Sequence, residues 1–303
     1  MTLIVICGAT ATGKSDLAVE LATRLKGHVI NADSMQLYKG MDIGTAKLSR
    51  EERKGIPHHL IDVLSVKEEA SVAQYQIDAR SIIDQLLEQS IPAIVVGGTG
   101  LYIKAILDDL NFPDTDPDVR AKIARQAEEL GAEVMHGRLA HLDPAAAAAI
   151  PQENVRRVVR ALEVIELTGR PYTANLPRKD STKYPQARQF GLVMERETLN
   201  ERIEARVERM WEKGLVSEVR DLISEGLLEG RTAQAALGYA QIIKFAQGEM
   251  TEAEAKEETK RATRQYARRQ ETWFSRDERI SWLKKAPVAE LVDRIISSTM
   301  SGT

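Results

Sequence analysis

The sequence predicts an α/β protein whose core is a parallel β-sheet and which carries an inserted helical domain. Short β-branched runs alternate with segments of helical periodicity in the first third of the chain, and the alternation resumes in the last third. Between about Pro113 and Tyr184 the sequence has no strand-like run. Strands that alternate with helices are typical of a parallel sheet covered on both faces. We therefore predict a core formed by residues 1–113 and 184–303, with C-terminal helices, and a helical insertion at 114–183.

The first predicted elements come from an apolar run at residues 3–7, which indicates a strand that ends at Gly8. A glycine-containing loop follows, and then Leu17, Leu21 and Leu25 repeat at the spacing of an amphipathic helix. The chain therefore begins with a strand, a loop and a helix. The other elements predicted before the insertion are strands at 29–30 and 94–96 and a helix over 71–89.

Capping signals give the boundaries of the helices that follow. An N-cap residue before a proline, or a Thr-x-x-Glu capping box, starts a helix, and a glycine after the last turn ends one. The predicted helices in this part of the chain are one from Asp116-Pro117 to Gly131, one that starts at Asp143-Pro144, a third that ends at Gly169, one from Thr198-x-x-Glu201 to Gly214 and one from Thr251-x-x-Glu254 to about Phe274. A loop is predicted at 170–188 and a strand at 190–194.

Composition excludes several classes of protein: with 43% hydrophobic and 29% charged residues, the 303-residue chain can bury a core and is not typical of disorder. The net charge of −3 excludes a uniformly basic nucleic-acid-coating protein, although not a local basic groove. The single cysteine, Cys7, excludes an intramolecular disulfide and a zinc site. No apolar stretch reaches the ~18 residues of a membrane span, and the first strand leaves no room for a signal peptide. We expect a cytoplasmic protein without a membrane segment, acting as a monomer.

The loop after the first strand matches the phosphate-binding P-loop pattern GxxxxGK(S/T) with the residues Gly8-Ala9-Thr10-Ala11-Thr12-Gly13-Lys14-Ser15. Its glycines let backbone N–H groups turn toward an anion, and the N-terminus of the following helix adds partial positive charge. Lys14 would neutralise the terminal phosphate, and the Ser15 hydroxyl would complete a Mg²⁺ shell. The pattern therefore predicts a P-loop parallel-sheet core that holds a phosphate chain, without specifying a nucleoside triphosphate.

The strand at 94–96 ends in Gly97-Gly98-Thr99-Gly100. In most P-loop hydrolases and many kinases a later strand ends instead in an aspartate that helps to hold Mg²⁺. The glycines here allow close backbone approach to a ligand, and Thr99 offers a hydroxyl rather than a charge. This difference weakens an ATPase interpretation and leaves transfer chemistry open.

Asp33 follows the second predicted strand, at the carboxyl edge of the sheet where ligands of open α/β proteins bind. A carboxylate at that edge can ligate Mg²⁺ through water or accept a proton from a nucleophile. A solvated turn or a helix cap explains Asp33 equally well. The neighbouring Gln36 and Tyr38, which can hydrogen-bond to a base and stack on it, slightly favour the functional interpretation.

Arginines recur at helical spacing in three predicted helices. A solvated face is the ordinary explanation of such runs, and Glu254, Glu257 and Glu258 can pair with part of the last one. Three basic faces in a chain of net charge −3 also suggest a surface for a phosphate backbone, that of RNA in particular, although charge alone favours the ordinary explanation. The three sets are Arg156, Arg157 and Arg160; Arg202, Arg206 and Arg209; and Arg261, Arg264 and Arg268 with Lys260 and Arg269.

Several motifs occur in one order along nearly the entire chain. They are Gly8–Ser15, Asp33-Ser34-Met35-Gln36-Leu37-Tyr38, Met41-Asp42-Ile43-Gly44-Thr45-Ala46-Lys47, Pro57-His58-His59-Leu60-Ile61-Asp62, Gly97-Gly98-Thr99-Gly100-Leu101-Tyr102, Arg160-Ala161-Leu162-Glu163-Val164 and Thr263-Arg264-Gln265-Tyr266-Ala267-Arg268-Arg269-Gln270. This ordered set resembles the bacterial tRNA dimethylallyltransferase (tRNA isopentenyltransferase) family. The resemblance implies transfer of a dimethylallyl group from dimethylallyl diphosphate to N6 of the adenine 3′-adjacent to the anticodon, with release of diphosphate. It also implies that the insertion clasps the tRNA anticodon stem-loop and that no ATP is consumed.

The resemblance also implies roles for individual residues. Asp33 matches the general base of the family, and Thr99 matches the residue beside the allylic carbon and its bridging oxygen. Arg206 matches the active-site arginine that, with Lys14 and Mg²⁺, stabilises the departing diphosphate. The implied diphosphate-binding residues are Gly8, Thr10, Ala11, Thr12, Gly13, Lys14 and Ser15, of which Ser15 also binds the metal.

Contacts with tRNA are implied for three parts of the chain. The family often has a basic residue after the Gly-Tyr pair, whereas this sequence has Ala240-Gln241, so position 240 lacks that side chain. The implied tRNA-binding residues are Asp33, Ser34, Met35, Gln36, Thr99, Arg120, Arg156, Arg157, Val158, Val159, Arg160, and Ala235 to Ala240 with Gly238 and Tyr239.

Two other functions remain open to the sequence. The P-loop alone would favour a small-molecule kinase, which would consume ATP and have no use for the arginine faces. The arginine faces alone would favour a non-catalytic RNA-binding module, for which the P-loop would be superfluous.

Overall fold

A computed structural model describes residues 2–175 and 181–300 of the chain. Its centre is a six-stranded sheet in the order β3-β2-β4-β1-β5-β6, and every neighbouring pair of strands is parallel. The predicted α/β class with a parallel-sheet core is therefore confirmed. The strands are β1 (Leu3–Gly8), β2 (His28–Asn31), β3 (His58–His59), β4 (Ala93–Val96), β5 (Arg188–Val193) and β6 (Ile280–Lys284).

Helices occupy most of the remaining described chain. They are α1 (Lys14–Leu25), α2 (Val72–Glu88), α3 (Gly100–Leu107), α4 (Pro117–Leu142), α5 (Pro144–Ala149), α6 (Val155–Thr168), α7 (Arg196–Glu212), α8 (Leu215–Ser224), α9 (Tyr239–Ala246), α10 (Glu252–Phe274) and α11 (Val288–Met300). Short 3₁₀ helices lie at Tyr172–Asn175, Leu227–Glu229 and Ala233–Ala235. Within the described ranges, no helix combines the length and the apolar character that a membrane crossing requires.

The chain divides into two compact units. One is formed by Met1–Leu107 and Tyr184–Thr303 and contains the sheet, and the other is Asp108–Lys183 and contains α4, α5 and α6. The second unit begins ahead of residue 114, and an antiparallel bridge between Asp108 and Thr182 joins its two ends. We call these the sheet unit and the helical unit.

The sheet unit is built around β1, all of whose residues are buried. Leu3, Val5 and Cys7 pack into one apolar cluster, whereas Ile4 and Ile6 pack into another. Because successive side chains of a strand point to opposite faces of the sheet, the two clusters lie on opposite faces. Helices cover both faces, which is why β1 reads as a continuous apolar run rather than an alternating one.

Most predicted helix boundaries agree with the structure. Asp116 and Asp143 cap α4 and α5 through side-chain oxygens, each followed by proline. Gly169 ends α6 in a left-handed conformation with φ of 64°, and the Thr251–Glu254 capping box starts α10 as predicted. Local hydrogen bonding at the ends of these helices is therefore well encoded in the sequence.

Two details differ from the prediction. The prediction that a capping box starts a helix at Thr198 is wrong. Only two residues lie between the end of β5 and the start of α7 at Arg196, so Thr198 lies inside the first turn of the helix. At Gly131, with φ of 83° and ψ of 163°, the helix is interrupted as predicted, but helical backbone resumes at once and continues to Leu142. Of the predicted loop at 170–188, residues 176–180 lie outside the described chain.

Candidate active site

The P-loop joins β1 to α1 in the strand–loop–helix arrangement that its pattern requires. Gly8 has φ of 131°, and a Cβ atom there would lie 2.7 Å from the backbone oxygen of Leu192, so no larger residue fits. Gly13, with φ of 97°, is the N-cap of α1. The Thr12 hydroxyl donates to the Ala9 carbonyl oxygen at 2.9 Å, which closes the loop on itself. The loop therefore leads directly into a helix N-terminus, where backbone N–H groups attract anions.

Lys14 is turned back toward this loop. Its ammonium group donates to the Ala9 carbonyl oxygen at 2.6 Å. Burial, helped by the positive charge of Arg206, lowers the pKa of Lys14 to about 8, while the negative charge of Asp33 opposes the shift. An anion held in the loop would raise this pKa again, because it would stabilise the charged form.

Two arginines of α7 donate hydrogen bonds to the P-loop. The Nε of Arg202 donates to the Ala11 carbonyl oxygen at 2.8 Å, and Arg206 donates to the Thr10 hydroxyl at 3.0 Å. They are four positions apart in the sequence, so they share one face of the helix. Burial lowers the pKa of Arg206, and the charge of Asp33 is the largest opposing influence. The sequence placed Arg202 only on a basic face, and its bond to the loop was not predicted.

Asp33 lies just beyond β2 in a tightly bonded turn. The side-chain amide of the buried Asn31 donates to the carbonyl oxygens of Asp33 and Leu60, both at 2.9 Å, and its oxygen accepts the Asp33 N–H. The Met35 N–H donates to the Asp33 carboxylate at 3.0 Å. Burial raises the pKa of Asp33, whereas the Met35 N–H, Lys14 and Arg206 act to lower it. The carboxylate is therefore a stronger base than a solvated aspartate.

Thr99 lies beside this turn because the loops after β2 and β4 touch. A Cβ atom on Gly97 would lie 2.1 Å from the Ala32 carbonyl oxygen, so the close approach depends on glycine. The Thr99 N–H donates to the same oxygen at 3.2 Å, and the Thr99 hydroxyl oxygen accepts the Ser34 N–H at 3.1 Å. The structure thus brings Thr99 next to the residue that follows Asp33.

Gln270 of α10 was not predicted as a site residue. Its side-chain oxygen accepts the Thr10 N–H at 2.8 Å, and its side-chain nitrogen donates to the Gly98 carbonyl oxygen at 2.9 Å. Nearby, burial raises the pKa of Tyr266 to about 12, against hydrogen bonds from the side chains of Thr99 and Gln270. A polar residue on the buried stripe of α10, between Ala267 and Phe274, is the sequence signal that could have identified Gln270.

The four side chains predicted to be catalytic therefore lie at one edge of the sheet unit. The charge of Asp33 raises the pKa of Lys14 and of Arg206, and these two cations in turn lower the pKa of Asp33. The loop bearing Thr99 is bonded to both the turn of Asp33 and, through Gln270, the P-loop. A carboxylate of raised pKa thus lies near two positive charges, Lys14 at the start of α1 and Arg206 of α7, which is hydrogen-bonded to the P-loop.

The predicted tRNA-binding residues of the helical unit fall into three groups. Arg120 and Arg160 both bind the fully buried Glu163, at 2.9 and 3.0 Å, and Arg160 also donates to the Pro113 carbonyl oxygen. Arg156 and Arg157 are exposed and take part in none of the ion pairs found in the described chain. The side chains of Val158 and Val159 are buried in the core of the unit, so they offer no surface to a partner.

Two tyrosines are buried: Tyr38, whose position near Asp33 suggested contact with a base, and Tyr239, for which the resemblance implied contact with tRNA. Tyr38 is fully buried and its hydroxyl bonds to the backbone of Glu68 and Ala70, so the predicted stacking on a base is wrong. Tyr239 is also fully buried, and its hydroxyl donates to Glu218 at 2.5 Å. Met35 packs against the same apolar cluster as these rings. Both tyrosines extend the apolar core, which their hydroxyl partners inside the protein make possible.

The third arginine set, on α10, is largely paired. Arg261 binds Glu258, Arg264 binds Glu204, and Lys260 binds Glu208 and Glu257. These pairs support the ordinary interpretation of this stretch as a charged, solvated face.

Fold and site together define a P-loop α/β protein in which a partly buried carboxylate, that of Asp33, lies near the loop. The family model described as IPP transferase matches residues 36–277. Two proteins called tRNA dimethylallyltransferase, from Thermobifida fusca and Streptomyces avermitilis, are 58% and 57% identical to this chain; the matches cover 97% and 94% of it, and 92% and 90% of the relatives. The chain therefore belongs to the IPP transferase family.

Solved structures of the same kind share the fold. The full-length tRNA isopentenylpyrophosphate transferase of Bacillus halodurans is 38% identical with a TM-score of 0.72, covering 99% of this chain and 97% of its own. A eukaryotic dimethylallyltransferase described as acting on tRNA is 28% identical with a TM-score of 0.81, covering 95% of this chain and 75% of its own.

Proposed function

We propose that this protein transfers a dimethylallyl group from dimethylallyl diphosphate to N6 of the adenine 3′-adjacent to the anticodon in tRNA, releasing diphosphate. The observation that carries the proposal is the cluster of Asp33, Lys14 and Arg206 at the P-loop. A base and two cations at one point suit a reaction in which a proton leaves one substrate and negative charge builds on the other. Relatives named for this reaction share more than half of the residues of the chain.

The P-loop holds the diphosphate of the donor. When the bond between the allylic carbon and the bridging oxygen breaks, the electron pair stays on the diphosphate. Lys14, Arg206 and the loop N–H groups lie where that charge develops, which is the arrangement that stabilises a transition state most effectively. Because the chemistry needs no phosphoryl transfer, the loop serves here as an anion holder.

Asp33 takes the proton of the acceptor. The N6 amine of adenine attacks the allylic carbon, a nitrogen–carbon bond forms, and the proton passes from N6 to the Asp33 carboxylate. The raised pKa of Asp33 strengthens it as a base for this transfer. Thr99, which is bonded to Ser34 in the turn after β2, contributes its hydroxyl beside the reacting carbon and the bridging oxygen.

Mg²⁺ would be held chiefly through the donor. The described residues contain no group of three or more histidine, cysteine or acidic side chains that could form a metal cage. Magnesium commonly binds through one or two protein oxygens and substrate phosphates, and the Ser15 hydroxyl at the start of α1 fits that mode. When bound, the ion would neutralise charge on the diphosphate.

The tRNA is held by the helical unit. The exposed Arg156 and Arg157 at the start of α6 suit phosphate contacts, and Arg120 and Arg160 are oriented by Glu163. The target adenine must leave its stack to reach Asp33, as in other enzymes that modify a base. We further propose that the protein works as a cytoplasmic monomer, a setting with which its single buried cysteine agrees.

A transfer assay with radiolabelled donor and unmodified tRNA tests the proposal. We expect label in tRNA without added ATP, and we expect Asp33→Asn to lower the rate by about 10²–10⁴-fold because it removes the base. Binding of tRNA should change little in this variant, and inorganic diphosphate should compete with the donor. Transfer that requires ATP, ATP that competes better than diphosphate, or normal turnover by Asp33→Asn would each contradict the proposal.

A further inference from the structure

Gln270 is bonded to two loops that the proposed reaction uses for different substrates. Its oxygen accepts the N–H of Thr10 in the P-loop, and its nitrogen donates to the carbonyl of Gly98, the residue before Thr99. The side chain is buried, with 5% of its surface exposed. A buried amide whose two ends are each bonded to a different backbone segment holds those segments at a set separation.

The side-chain amide of Gln270 also lies close to the Gly98 Cα. A Cβ atom on Gly98 would lie 2.2 Å from the side-chain nitrogen of Gln270, so the loop accepts this amide only because the residue is glycine. Thr10 also receives the hydrogen bond of Arg206 on its hydroxyl. Gln270 therefore binds the backbone of Thr10, while Arg206 binds its side chain.

We propose that Gln270 is a positioning residue that sets the distance between the diphosphate in the P-loop and the reacting carbon beside Thr99. This inference rests on the proposed function. The side-chain oxygen binds the P-loop, which holds the departing diphosphate. The side-chain nitrogen binds the loop of Thr99, which lies beside the carbon that N6 attacks. Displacement at carbon requires the leaving oxygen, the carbon and N6 to be aligned, and small misplacements of such groups are costly.

To bind both loops, the side chain at position 270 needs one hydrogen-bond acceptor and one donor. Substitutions can therefore be compared by how many of these two groups they keep. Methionine is of similar size but offers neither bond. An ionised glutamate can accept the Thr10 N–H, but it presents a second oxygen to the Gly98 carbonyl and repels it. A protonated glutamate carries one acceptor and one O–H donor, so it can replace both bonds of glutamine. Burial favours that protonated form.

The experiment compares Gln270→Met and Gln270→Glu in the full-length protein by single-turnover transfer and steady-state kinetics. We expect Gln270→Met to lower kcat by roughly 10–100-fold, as misalignment does, with little change in the KM of either substrate. We expect the ratio of the Gln270→Glu rate to the Gln270→Met rate to rise as the pH falls. The other titrating groups around the site are Asp33, Lys14 and Tyr266, and Arg206 adds a positive charge. Because both variants contain these groups, the ratio of the two rates reports mainly the protonation of the glutamate.

Gln265 supplies the matched control, since it is an exposed glutamine on the same helix. Gln265→Met and Gln265→Glu should keep the wild-type kcat at every pH. Wild-type kcat in Gln270→Met would overturn the inference. A ratio that does not change with pH would also overturn it, and an accompanying loss in thermal stability would assign Gln270 a purely structural role. Wild-type protein that transfers no label would instead refute the proposed function.

Discussion

The arginines of α7 and those of α6 share a spacing but not an environment. Arg202 and Arg206 are four residues apart, as are Arg156 and Arg160. Both arginines of α7 donate hydrogen bonds to the P-loop, and both are partly buried. On α6, Arg160 binds Glu163 of its own unit while Arg156 stays exposed. Helical spacing therefore decides which residues share a face, and burial and partners decide what that face does.

The two environments also differ in energetic terms. Removing a guanidinium from water is costly unless hydrogen bonds and an opposite charge offset the loss. Arg206 has both, in Thr10 and Asp33. The exposed Arg156 and Arg157 carry no such cost and can bind a phosphate by releasing counterions. We therefore expect the α7 arginines to act on turnover and the α6 arginines to act on tRNA affinity.

The largest expected effect concerns Arg206. Arg206→Ala should lower kcat for transfer by about 10²–10³-fold, the usual loss when one preorganised donor at a developing charge is removed. Arg156→Ala, measured in the same assay at saturating tRNA, should keep the wild-type kcat. Equal losses in both variants would remove the distinction between the two helices.

The next largest effect is on the salt dependence of tRNA binding. Replacing Arg156, Arg157 and Arg160 with alanine should reduce the slope of log K against log salt concentration by about 0.7–0.9 for each phosphate that is no longer neutralised. The affinity for the donor should be unchanged. The slope for an anticodon stem-loop is measured by titration at several salt concentrations. A wild-type slope in the triple variant would mean that these arginines are only solvated, and the double variant Arg156→Ala/Arg157→Ala separates the exposed pair from the Glu163-bound Arg160.

A smaller effect is expected for pH. Lys14, with a pKa of about 8, loses its charge as the pH rises through that value. Donor binding should therefore weaken above pH 8, and Lys14→Arg, which stays charged, should lose this alkaline limb. On the acid side, turnover should fall as Asp33 becomes protonated, at a pH above the usual range for an aspartate. The pH profile of kcat/KM for the donor measures both limbs, and an alkaline limb that persists in Lys14→Arg would assign it to another group.

The smallest expected effect is on stability alone. Asn154 caps α6 and Thr251 caps α10, one in each unit. Asn154→Ala and Thr251→Ala should each reduce the free energy of unfolding by about 0.5–2 kcal/mol, as measured by urea denaturation. Neither should alter the salt slope or kcat. A change in the slope for Asn154→Ala would show that the α6 arginines depend on the cap for their position.

Sequence patterns predicted the local parts of this site and missed its long-range parts. The P-loop, Asp33 and the Thr99 loop each follow a strand, so strand position identified them as candidates, and the resemblance to the family supplied the expected roles of Asp33 and Thr99. The bonds of Gln270 to Thr10 and Gly98 cross most of the chain, and no local pattern reports them. Asn31 was missed because it reads as the end of an apolar strand, although its side chain holds the turn of Asp33.

The same distinction explains where the structure differs from the predicted fold and from the environments expected for the predicted tRNA-binding residues. Strands β3 and β6 were not predicted, since one has two residues and the other lies at an edge with mostly exposed side chains. The burial of Tyr38 and Tyr239 depends on packing between segments distant in sequence. Likewise, the pairing of Arg120 and Arg160 on one buried carboxylate could not be read from arginine spacing.

The bridge between Asp108 and Thr182, reinforced by the bond from the Asp109 N–H to the Ser181 carbonyl oxygen at 3.1 Å, has a genetic consequence. The two ends of the helical unit are side by side, so the distance between them does not depend on how much chain lies in between. Doubling the length of a closed segment costs only about 0.6 kcal/mol in loop entropy. Helices in this unit can therefore be lengthened, shortened or exchanged during evolution or by design while the sheet unit keeps its geometry. Under the proposed function, selection for a different RNA shape can then proceed apart from selection on the chemistry.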